Sequence, residues 1–185
     1  MNGRMEKKRA LLAAALAITS ELSLDVVLDK IVNVAKDLVS ARYAALGVAR
    51  EDRKGLSRFI VAGVTDEQIK AIGHWPRGLG ILGVLLQDPQ PLRLRNIHHD
   101  PRSIGFPPGH PPMTNFLGVP IMARGRILGD FYLTDKIGAE EFDREDEDLI
   151  VGLAAFAAVQ VLVDAEDDDV VVADRRLEEA LRVVR

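Results

Sequence analysis

Residues 115–135, NFLGVPIMARGRILGDFYLTD, decide the fold. Asn115 to Ala123 and Ile127 to Asp135 are two runs of strand-forming residues around Arg124-Gly125-Arg126, the pattern of a β-hairpin. In the second run Ile127, Gly129, Phe131 and Leu133 alternate with Leu128, Asp130, Tyr132 and Thr134. Tyr132 and Phe131 therefore face opposite sides of a sheet.

Upstream, Tyr43 to Ala49 and Leu56 to Val64 form a second pair of strands joined by the polar Arg50–Gly55 turn. Before them Leu24, Val27, Leu28, Ile31, Val34, Ala35 and Leu38 share one stripe of a helix, and Ser23 stands where its N-cap belongs. Leu12, Leu16 and Thr19 mark another stripe, giving an N-terminal helical extension over residues 1–21. Between the strand pairs, Thr65 and Gln68 make a capping-box pattern that opens a short helix through Ile69 and Ile72, and Gly73 stops it. Gly78 to Gly83 reads as a glycine-led turn into a short buried helix ending at Asp88-Pro89, and Leu92 to Leu94 as a brief edge strand.

Downstream a helix starts near Asp143 and continues through Leu149, Leu153, Phe156 and Val163. Asp143, Glu145, Asp146, Glu147 and Asp148 occupy its first turns, where the helix dipole favours carboxylates, so they need no catalytic role. Asp164 to Asp169 breaks the pattern, which makes residues 164–185 an acidic linker and a C-terminal helix carrying Leu177, Leu181 and Val184. The order of elements implies an α+β fold: an antiparallel sheet with helices packed on one face and a long loop over a pocket on the other.

The chain of 185 residues, 28% charged and 48% hydrophobic, suits one core. It contains no cysteine, which excludes disulfides, thiolate zinc sites, iron–sulfur clusters and cysteine nucleophiles and leaves histidine and carboxylate as metal ligands. A net charge of -4 argues against a protein that grips nucleic acid through a basic surface. Ala10 to Ile18 follows Lys7, Lys8 and Arg9 as in a signal peptide, but it is mostly alanine and runs into another amphipathic segment without a persuasive cleavage site. The expectation is a cytoplasmic protein that does not span a membrane.

His98 to Pro112 holds five prolines, three histidines, Gly105 and Gly109, so it is a loop, and a long one of the kind that often carries function. Ile104, Phe106 and Met113 favour an ordered loop over a tail.

The order of elements, with Ala41-Arg42-Tyr43, Gly78-Leu79-Gly80, Pro91-Leu92-Arg93-Leu94, Phe116-Leu117-Gly118-Val119-Pro120 and Tyr132-Leu133-Thr134-Asp135-Lys136, resembles a GAF domain over residues 22–163. More narrowly, Ser103 to Met113, SIGFPPGHPPM, resembles the first GAF domain of the haem-binding actinobacterial sensor histidine kinases of the dormancy response. That resemblance implies that His110 is the proximal ligand of a b-type haem and that Tyr132 lies on the distal side, where a diatomic gas binds. It implies Phe106 and Met113 as pocket residues and His74 as a residue beside the haem. Arg77, Arg93 and Arg95 become candidates for the propionates. Gly47 stands where some relatives carry an acid, which would leave a more open route to the haem edge.

The chemistry is sound, since a neutral imidazole ligates haem iron and a phenol can donate to bound oxygen. What the resemblance implies is a gas or redox sensor of a two-component system, not an enzyme, with a diatomic gas as ligand. A homodimer would form through the terminal helices at Leu12, Leu16 and Leu24 to Leu38, with a histidine kinase or other module as output.

The second expectation is a haem-free GAF module that dimerises or binds another small ligand. A methionine-sulfoxide reductase on this scaffold would use cysteine, which the chain lacks. Taken singly, a loop histidine more often caps carbonyls than binds iron, and a strand tyrosine is more often half-buried packing. His98 and His99 read as surface-loop residues, and Gly78 to Gly83 lacks the lysine of a phosphate loop.

Overall fold

The computed structural model describes residues 23–183 except Arg53 and Arg77, with side chains through Ala165. The N-terminal extension with Leu12 and Leu16 lies outside the described residues. Five strands form one antiparallel sheet in the order β2-β1-β5-β4-β3: β1 (Ala41–Ala49), β2 (Leu56–Ala62), β3 (Leu92–Leu94), β4 (Phe116–Ala123) and β5 (Arg126–Lys136). The class expected from the hairpins is the one observed, and Leu92–Leu94 is one of its two edge strands.

Helices α1 (Leu24–Leu38) and α4 (Arg144–Val183) cover one face of the sheet. Leu28, Ile31, Val32 and Ala35 of α1 meet Leu46, Leu117, Val119, Ile121, Phe131 and Leu133 of the strands and Ile150, Leu153 and Ala157 of α4 in one core. The described part of α4 up to Ala165 is long and apolar enough to cross a membrane by length and composition, yet Leu149, Ile150, Leu153, Ala154, Ala157 and Ala158 are buried in that core. Ser23 sits at the N-cap of α1 in an extended conformation, but its side chain makes no capping bond.

On the other face lie α2 (Asp66–Ile72), α3 (Ile81–Gln87), a 3-10 turn (Ile97–His99) and the proline loop. Thr65 and Gln68 close the expected capping box, and Gly73 ends α2 in the left-handed conformation. Ile81, Leu85, Ile97, Met113 and Phe116 make a second, smaller core there, with Tyr43, Leu82, Phe106 and Tyr132 packed against it.

Three details differ from the sequence reading. The β4–β5 hairpin turns on two residues, Arg124 and Gly125, both at positive φ, so Arg126 already belongs to β5. A bulge then sets Met122 opposite Ile127 but Ile121 opposite Gly129. The bulge breaks the alternation: Leu128 packs on the helix-side core, while Ile127 shares the lid side with Asp130.

The third difference is α4, which passes Asp164–Asp169 without interruption. Asp164 accepts from Arg58 at 3.1 Å, and the same guanidinium reaches Asp25 of α1 at 2.9 Å, which ties both helices to β2.

Candidate functional site

The start of α4 is fastened to the end of β5 and to the edge strand β3. Asp143 and Asp146 cap each other's backbone N–H groups (Asp146 N–H to Asp143 at 2.9 Å, Asp143 N–H to Asp146 at 3.0 Å), and Lys136 donates to both oxygens of Asp146 at 2.8 and 2.7 Å. Asp146 is wholly buried and Lys136 nearly so. Arg93 of the edge strand donates to Glu147 at 2.6 Å and to the carbonyl of Phe142 at 3.2 Å. The acidic cluster is thus a helix start fastened to the sheet, as its sequence position implied. The same bonds remove Arg93 from the propionate candidates, and Arg95 is paired with Glu140. Arg77 lies outside the described residues.

The proline loop is held at both feet. The N–H of Ile97 donates to the carbonyl of Thr114 at 2.7 Å, and that of Thr114 to the carboxylate of Asp135 at 2.8 Å. Arg102 grips both oxygens of Asp100 at 2.8 and 2.7 Å, and its hydrogen bonds hold the Asp100 carboxyl down to about 2. The loop tip rests on α2: a Cβ on Gly109, at φ 80°, would lie 2.9 Å from that of Ala71.

His110 is half-buried at this tip. Its Nδ1 lies 2.8 Å from the carbonyl of Pro111, and its ring stacks on Phe106 with centroids 4.6 Å apart and planes 16° apart. A carbonyl can only accept, so the bond is made by Nδ1–H, and in the neutral ring Nε2 then holds the lone pair. That is the arrangement in which imidazoles bind metals, with the second nitrogen fixed by a backbone acceptor. Phe106 links His110 to the smaller core, and His98 meets its ring edge-on at 5.9 Å.

Tyr132 stands on β5 in that same core, half-buried, paired across the sheet with Ala45 and Gly118 and stacked on Phe116 at 6.0 Å. Burial, with the neighbouring Asp130 charge, raises its hydroxyl well above the usual tyrosine range, so it stays a protonated donor. Two residues on, the hydroxyl of Thr134 is buried with no hydrogen-bond partner among the described residues.

Of the expected site residues, the structure gathers His110, Phe106, Met113 and Tyr132 into one cluster. His74 stands outside it, exposed, with its ring 3.0 Å from the carbonyl of Trp75. Gly47 stands opposite Asp130 on β5. A Cβ there would sit 2.9 Å from Oδ1 of Asp130, so the space left by Gly47 is lined by a carboxylate.

Sequence reasoning missed Asp130. It is 4% exposed, and burial pushes its carboxyl up to about 7 against a hydrogen bond from the Gly47 backbone. The signal was present: an acid in mid-strand on the face of Tyr132. Its burial depends on the bulge and on Gly47, neither of which is local.

A sheet backed by two helices, with a lid enclosing aromatic and titratable side chains on its other face, defines a sensor or ligand-binding module. The chain belongs to the GAF domain family, whose sequence profile matches residues 21–161. Solved structures agree. The GAF domain of a phosphoenolpyruvate-protein phosphotransferase from Coxiella burnetii superposes with a TM-score of 0.79 at 19% identity over 91% of this chain and 99% of that one. Its Acinetobacter counterpart gives 0.72 at 22% identity over 90% and 96%. The free methionine-R-sulfoxide reductase of Neisseria meningitidis, solved with its substrate, gives 0.72 at 14% identity over 90% and 95%. At these identities the likeness is one of fold.

Proposed function

We propose that this GAF domain is a haem-dependent sensor of diatomic gas or redox state, with His110 as the residue that would hold the iron. The observation that carries the reading is the His110 ring itself: Nδ1 tied to the carbonyl of Pro111, its plane set by Phe106. A loop histidine that merely capped carbonyls would need neither the flanking prolines nor the stacked ring.

The residues fit the group chemically. Phe106, Met113, Ile81, Leu85 and Phe116 supply apolar walls, and Tyr132 supplies one protonated hydroxyl on the sheet side. These side chains now touch one another, so admission of a porphyrin requires the Ser103–Met113 segment to lift from α3. When bound, haem iron would supply a reversible site for a diatomic ligand or an electron. The chain's own contribution is to orient His110, to keep water from the iron side with Phe106 and Met113, and to offer the Tyr132 proton. Phe131 and Leu133 flank Tyr132 on the same strand and stand in the core shared with α1 and α4. A shift of β5 is therefore transmitted to the helices that would form a homodimer and reach a kinase or other output module.

The chain acts as a regulatory module rather than an enzyme in this reading, and the absence of cysteine removes thiol redox chemistry from it. A cytoplasmic location follows from the same role.

Titration of the full chain with ferric haem tests the assignment. One equivalent should give a saturating Soret band that moves on reduction and again on adding carbon monoxide, and His110→Ala should lose it while keeping the far-UV dichroism. Equal uptake by His110→Ala, or none by the parent chain, would leave the haem-free ligand-binding module.

A further inference from the structure

At the hairpin end of the same face a cavity of about 150 Å³, which His110 does not line, opens beside Asp130. Its walls are Ala49, Leu56, Pro76, Leu86 and Ile127, with Gly55 and Gly78 completing the rim. Among the described residues Asp130 is the only charged group in the lining, and its one hydrogen-bonding partner is the backbone of Gly47. A carboxylate can accept about four hydrogen bonds, so most of its capacity is unmet in an otherwise apolar pocket. Gly47 contributes by what it lacks, because a methyl there would lie 2.9 Å from Oδ1 of Asp130 and 3.1 Å from Leu56.

We infer that this cavity is a second binding site, which takes a small organic cation: a protonated amine held by the Asp130 carboxylate, with a short hydrocarbon body against Leu56, Leu86 and Ile127. The volume is that of a cavity able to enclose a six-carbon ring, which sets the size at about six heavy atoms. The ammonium supplies the donors that Asp130 lacks, and the carbon chain displaces water from walls that cannot hydrogen-bond to it. Neither His110 nor Phe106 lines the cavity, although Asp130 neighbours Tyr132 on the same face of β5, so the test is run on the haem-free chain.

The test uses the full chain without haem and two probes of equal size, n-pentylammonium and pentan-1-ol. Calorimetric titration should show the amine binding about tenfold or more tightly than the alcohol, the difference a charge-assisted hydrogen bond makes. The side-chain carboxyl carbon resonance of Asp130 should move with the amine and not with the alcohol. Asp130→Asn should reduce the amine to the level of the alcohol, and Gly47→Ala should weaken it with the carboxylate still in place. His110→Ala should leave it unchanged, so that failure of the haem assignment and failure of this one are separate results.

Equal binding of the two probes, no binding of either, or amine binding that survives in Asp130→Asn would overturn the proposal. Arg77, between Pro76 and Gly78 in sequence, supplies a further outcome. Amine binding seen only in Arg77→Ala would mean that the chain neutralises its own carboxylate, and would overturn it equally.

Discussion

The two faces of the sheet are built by alternate residues of the same strands, and what lies between strand and cover differs on each. On the helix side Phe131, Leu133, Leu117, Val119 and Ile121 meet α1 and α4 in one continuous apolar core. On the lid side the intervening positions of β5 are Asp130, Tyr132 and Thr134: a carboxylate, a phenol and a hydroxyl unpartnered among the described residues. The first face is organised for burial, which is the main source of stability. The second gives up part of that burial to hold groups whose value is chemical, as ligand-binding regions commonly do.

The largest effect should therefore come from the helix side. Phe131→Ala should cost about 3–5 kcal/mol of unfolding free energy. Phe106→Ala, which removes a half-buried lid ring, should cost about 1–2 kcal/mol and abolish ordered haem uptake. Denaturant titration of both reads the contrast, and equal costs would break it.

Asp130 gives the next effect, visible through pH. Its folded carboxyl titrates at about 7 against an ordinary value of 3.8. Between those values the unfolded chain has released a proton that the folded chain keeps, so this group's stabilisation is complete below about pH 4 and is lost as pH rises to about 7. The total is on the order of 4 kcal/mol, seen as the parent minus Asp130→Asn difference between pH 4 and pH 8. A difference that stays flat across that range would mean the carboxylate is not desolvated.

The smallest effect belongs to the lid's own scaffold. Thr65→Ala removes one side of the capping box on α2 and should cost about 1 kcal/mol, with faster amide exchange in Asp66–Ile72 and none in β4 or β5. Loss of protection across the sheet would show that the lid is part of the main cooperative unit.

Local chemistry made most of the fold legible. The Thr65–Gln68 box, the Gly73 stop, the β4–β5 hairpin and the acidic start of α4 are each set by residues within four positions of one another. In the candidate site the opposite facing of Phe131 and Tyr132 was legible because its signal was also local. What escaped depends on distant partners. Leu128 changes face because of a bulge, Arg93 is committed to Glu147 54 residues away, and Asp130 is buried because Gly47, from another strand, makes room for it. The continuity of α4 past Asp164 was hidden by reading a charge run as a break, although Asp164 itself is held by Arg58.

The measurement that tests the division of the two faces most directly is amide hydrogen exchange of the full chain with and without one equivalent of ferric haem. The account predicts that residues 78–87 and 102–113 exchange faster than β4 and β5 in the haem-free chain and become protected when haem is bound, while α1 and the core-facing part of α4 change little. Lid segments as protected as the core from the outset, and unmoved by haem, would contradict it.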